Sequence, residues 1–75
     1  MQFLNKIPQK TISRLFDYVN LCFEADEMLY SLVVAKISTV FSVLFDVGLL
    51  SFDERSEGSR HFRMLAKERY EESGL

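Results

Sequence analysis

Any catalytic or metal site in this sequence would have to be assembled from few parts. His61 is the only histidine and Cys22 the only cysteine among 75 residues. Protein metal sites draw on clustered His, Cys, Asp and Glu at short regular spacings, and no such cluster is written here. Cys22 has no histidine at helical spacing to take its proton, and it falls on an apolar face, where a thiol is normally inert. His61 therefore reads as a solvated or hydrogen-bonded side chain. Gly48 and Gly58 stand alone and form no phosphate loop. The acids in "DEM" and "YEES" read as helix-end charges. The expectation is a non-enzymatic protein with no catalytic, cofactor-binding or metal site.

Two groups of residues have spacing suited to recognition. Arg60, Arg63 and Lys67 recur at i, i+3 and i+7, so they share one ridge of a helix, and Tyr70 lies beside them. A cationic ridge with an aromatic neighbour can meet phosphates or an acidic protein surface, although a solvated amphipathic face has the same pattern. The second group is small rather than charged. Ser31, Ala35, Ser38 and Ser42 form a stripe along which another helix can approach closely. This stripe is expected to carry self-association or partner binding, and a second copy is a natural partner because two-fold dimers dominate small oligomers. Lys6, Lys10 and Arg14 make the first sixteen residues basic, with no acid among them.

Three helices are needed to position these groups. Ile12, Leu15, Phe16, Val19, Cys22 and Phe23 follow a 3.6-residue period, predicting a first helix over about 8–23 with Pro8 in its opening turn. Phe3, Leu4 and Ile7 should fold back on the core. A second helix, about 27–47, has Asp26 as N-cap, and Gly48 as the left-handed residue of a Schellman stop, with Leu49 contacting Leu44. A third begins at the capping box of "SFDE", with Ser51 and Glu54. Gly58 weakens its middle, so the helix is bounded as 51/59–72, with residues 51–58 left as a loop or a first turn. The "ESGL" end is expected to fray. Short links make successive helices packed neighbours. The predicted fold is all-α: one compact three-helix domain with a long central helix, associating through that helix.

The totals agree with such a domain. The chain is 48% hydrophobic with ten aromatics, too apolar for disorder. A core of this size is marginal, so some of that apolar surface is expected to be covered by another molecule. The net charge of −2 creates no global attraction to nucleic acid or anionic lipid. A single cysteine excludes an intramolecular disulfide framework and points to the cytoplasm. "MQFLNKIPQK" has neither the apolar run nor the cleavage site of a signal peptide.

"YSLVVAKISTVFSVLF" is long and oily enough to raise a membrane span over 28–47, yet Lys36 would sit near the bilayer centre. On a helical wheel its polar arc holds Ser31, Ala35, Lys36, Ser38, Thr39, Ser42 and Asp46, with Leu32 and Val43 intruding. The expected function is a small adaptor, inhibitor or regulator, of the kind found among phage and plasmid accessory proteins, that docks on another macromolecule. One alternative is a dimeric regulator touching DNA through basic helix ends. The other is a small membrane-embedded subunit.

Overall fold

Proline begins the first helix by supplying a carbonyl. The Pro8 C=O accepts hydrogen bonds from the Thr11 and Ile12 amides at 2.9 and 3.1 Å, and its own missing N–H costs nothing in a first turn. In a computed structural model, residues 2–73 are described. They form a 3₁₀ turn over Gln2–Lys6 and helices α1 (Gln9–Leu21), α2 (Glu27–Asp46) and α3 (Phe52–Ser73), with no strand. Helix α3 continues through Glu72 to Ser73, so the fraying expected for "ESGL" falls mostly on Gly74 and Leu75, outside the described residues.

Helix α1 stops two residues earlier than its apolar period suggests. Glu24 adopts a left-handed conformation, φ 63°, which no helix can continue and which a non-glycine residue adopts at a cost of about 1–2 kcal/mol. Helix α2 starts where Asp26 accepts the Leu29 amide at 2.8 Å. It ends in a Schellman motif, with Gly48 at φ 83°. The Gly48 N–H bonds the Phe45 C=O and the Leu49 N–H bonds the Leu44 C=O, each at 3.0 Å. Leu50, rather than Leu49, then enters the core.

The capping box closes as its spacing requires. The Ser51 N–H donates to Glu54 Oε1 at 2.9 Å and the Glu54 N–H donates to Ser51 Oγ at 3.2 Å. Glu54 Oε2 also takes a bond from Lys6 Nζ at 2.8 Å, tying the 3₁₀ turn to the start of α3. Helix α3 runs unbroken from there, through Gly58. The expectation that Gly58 weakens or delays this helix is therefore corrected. Gly58 is buried under Phe41, and a Cβ there would overlap Cε1 of the ring and lie 2.9 Å from its Cδ1 and Cζ. The penalty of glycine in a helix, about 1 kcal/mol, is offset by the close approach of two helices that glycine alone permits.

Phe62 is the centre of the core. Its ring meets Phe16 of α1 edge-on at 5.3 Å and Phe41 of α2 at 5.8 Å. Leu15, Val19 and Cys22 of α1 and Val33, Ile37 and Leu44 of α2 are buried in the same cluster, and Phe3 and Ile7 fold back onto it. Fully burying a Val, Leu, Ile or Phe side chain of this cluster stabilises by about 1.5–3 kcal/mol. Phe23, expected on the buried stripe, is exposed beyond the end of α1. Helix α3 packs antiparallel on α2, in the most extensive of the three helix pairs.

Two predictions follow from these contacts. Gly58→Ala should lower unfolding stability by about 1–3 kcal/mol, because overpacking exceeds the gain in helix propensity. Urea denaturation of this variant, alone and with Phe41→Leu, should give less than additive losses. Additive losses would show that the two residues do not confront each other. The second concerns acid. The Lys6 bond, and then the Ser51 amide, hold the Glu54 carboxyl below its ordinary 4.5. A depressed carboxyl contributes stability that is fully present above its unfolded value and fades as pH falls through the folded one. The denaturation midpoint of the native sequence should therefore fall more between about pH 5 and about pH 2 than that of Glu54→Gln. Equal falls would remove Glu54 from the acid response.

Candidate docking surfaces along the second helix

Helix α2 has two flanks covered by its own chain and one stripe that is not. The flank toward α3 includes half of the small-residue stripe. Ser38 and Ser42 are partly buried, and Ser38 Oγ lies 3.4 Å from Ser59 Oγ of α3. Small side chains do admit a close helix at these two positions, and that helix is α3. Ser31 and Ala35 remain exposed. The stripe is thus divided between an internal seam and the surface.

The basic ridge lies on the other side of the same seam. Arg60, Arg63 and Lys67 are exposed, and Arg63 Nε donates to the Ser59 C=O at 3.2 Å. Arg63 lines a notch with Ser38, Ser42 and Ser59, so the two groups identified separately in the sequence border one feature of the fold. Tyr70 is not free beside the ridge. It stacks on Tyr30 of α2, ring centroids 4.3 Å apart and nearly parallel. Burial, then the neighbouring Cys22 and Glu71, push the Tyr30 hydroxyl above its ordinary value, with Arg63 opposing.

The outward stripe of α2 is less polar than its wheel suggested. Met28 is 82% exposed, Leu32 51% and Val43 52%. With Lys36 and Thr39 they follow a spacing of three to four residues, so they share a face. Between this stripe and α1 runs an open groove of about 380 Å³. On the α2 side it is lined by Val40, Val43 and Leu44, with Thr39 beside them, and on the α1 side by Lys10, Thr11 and Arg14. Lys10 and Arg14, noted in the sequence only as a basic helix end, are thereby set against an apolar lining. Nothing in their local spacing announces this, because the groove exists only once α1 and α2 are packed.

The residues considered for chemistry are placed apart. His61 is exposed, its ring edge-on to Phe62 at 5.4 Å. Cys22 is buried, its Sγ 3.7 Å from the Tyr18 carbonyl oxygen, and burial raises the thiol above its ordinary value. No group of three or more His, Cys, Asp or Glu side chains suited to a metal occurs among the described residues.

No protein-family model, no curated protein and no solved structure matches this chain.

The stacked tyrosines give Tyr70 a structural role that can be measured. Tyr70→Ala should lower unfolding stability by about 1–3 kcal/mol, through the lost ring contact and its burial, and Tyr70→Phe should recover most of it. Thermal unfolding of the two variants decides this. An unchanged midpoint for Tyr70→Ala would make the ring available to a partner instead.

Proposed function

We propose that this protein is a non-catalytic docking module, and that the groove between α1 and α2 receives an acidic amphipathic helix of another protein. The observation that carries this reading is the pairing of an apolar side with a cationic one. Val40, Val43 and Leu44 offer apolar contact, and Lys10 and Arg14 stand along one side. A helix that lays its apolar face into a groove binds through residues spaced by three and four. Acids on its flank would meet the two cations, which favours the correct orientation and speeds encounter. Met28 and Leu32 extend the apolar contact along α2, whose twenty residues span about 30 Å.

Capture from an extract of the native host tests this, with the protein as bait and mass spectrometry as readout. Val43→Asp and Lys10→Glu/Arg14→Glu should each weaken capture of the same partner at least tenfold, about 1.4 kcal/mol. The segment of that partner protected from exchange should be an acidic amphipathic helix. Arg60→Glu/Lys67→Glu, on the seam with α3, should leave capture intact. Loss in the ridge variant alone would move docking to the basic ridge and overturn the groove. Recovery of nucleic acid or only of the bait itself would turn the reading to DNA contact or self-association.

One observation favours a second reading. Helix α2 is long and apolar enough to cross a membrane by length and composition. Against this, Lys36 lies midway along its exposed stripe, and a central lysine costs roughly 2.5–3.5 kcal/mol on insertion scales. Recovery in the supernatant after high-speed centrifugation without detergent supports the docking module. Recovery only in the membrane pellet supports the span.

A further inference from the structure

The seam between α2 and α3 holds a notch of about 160 Å³ lined by Ser38, Ser42, Arg55, Ser56, Ser59 and Arg63. We infer that this notch binds a tetrahedral oxyanion of the phosphate class. The inference goes beyond the docking module and uses the opposite flank of α2.

Four serines and two arginines line the notch, and no carboxylate does. The ion pairs among the described residues are Lys6–Glu54 and Arg69–Glu72, so neither Arg55 nor Arg63 is neutralised by a salt bridge. Both are held in place by other means. Arg55 lies over the Phe52 ring at 4.7 Å and the Phe45 ring at 5.3 Å, contacts that restrain the guanidinium. Arg63 spends Nε on the Ser59 carbonyl, which leaves its terminal nitrogens. An arginine fixed in this manner loses less freedom on meeting an anion than a mobile one does.

The hydroxyls complete the donor set. Ser59 is only 9% exposed, and its oxygen faces that of Ser38 at 3.4 Å. One O–H of the pair satisfies that contact, and the second remains able to donate to a ligand. The notch is open to solvent on one side, so a four-oxygen anion entering it keeps part of its hydration. A carboxylate, with two oxygens, would leave several of these donors unmet. A phosphate group accepts from all sides and makes its strongest bonds to arginine.

The chemistry is shared by free phosphate and by a phosphate ester carried on a larger molecule, and a titration separates them. The full-length ¹⁵N-labelled protein is titrated with inorganic phosphate, then with O-phosphoserine, at ionic strength held constant with sodium chloride. Saturable shifts at the Arg55 and Arg63 side-chain N–H signals and the Ser38, Ser42 and Ser59 amides are expected. Saturation by both ligands assigns the notch to a phosphate ester. Saturation by phosphate alone assigns it to the free ion. Arg63→Gln should weaken binding at least tenfold, and Ser42→Ala, which leaves the packed seam in place, several-fold. Lys10→Glu/Arg14→Glu should bind as the native sequence does, so failure of the groove leaves this result standing. Shifts no larger than chloride produces, or equal affinity in the folded Arg63→Gln and Ser42→Ala variants, would overturn the inference.

Discussion

The missing side chain of Gly58 sets how near α3 can come to α2. Phe41 fills the space that a Cβ would occupy, and the same ring leans on Phe62, so one contact fixes both the spacing of the two helices and the centre of the core. The rest of the seam follows from that spacing. Ser38 meets Ser59, Tyr30 stacks on Tyr70, and Phe45 meets Phe52 edge-on at 6.1 Å. These pairs step along α2 in one direction and along α3 in the other, as antiparallel packing requires. The notch lies beside them because serines, and not larger side chains, border the close approach.

The ends of the helices are legible in the sequence because capping is local. Asp26 and Leu29, Ser51 and Glu54, and Gly48 with its two amides each lie within a few residues of one another, so side-chain chemistry alone states the bond. Gly58 misleads for the opposite reason. Local propensity counts it as a weak point, and its value comes from Phe41, seventeen positions away in the chain, which no local rule weighs. Glu24 is a smaller case of the same kind. Its left-handed turn ends α1 against the preference of a glutamate, so an apolar period that ran on to Phe23 placed the boundary too late.

The faces of α2 are harder still to read. Periodicity tells which residues point together, and Val33, Ile37 and Leu44 do point into the core. It does not tell how far a neighbouring helix wraps around that direction. Helix α3 lies over Ser38 and Ser42, so part of the arc that looked free is internal. Leu32 and Val43, which looked like intrusions on a polar back, are the apolar content of the open stripe. Arg63 and the serine stripe are separated by a whole link in sequence, and only the fold shows that they border one notch.

An apolar stripe left open on a small domain has an energetic consequence. The core has little surplus from which to lose buried surface, so the area that Met28, Leu32 and Val43 would bury with a partner is large relative to the stability of the chain. A ligand that binds only the folded form adds stability by mass action, about 2.7 kcal/mol at a hundred times its dissociation constant. The two proposed sites lie on opposite flanks of α2, so occupancy of either would hold that helix against a different neighbour, α1 or α3. Their dependence on Gly58 differs for the same reason. Widening the seam would separate Ser38 and Ser42 from Arg63 and dismantle the notch. The groove, built from Val40, Val43 and Leu44 against α1, would keep its apolar side so long as the fold survives.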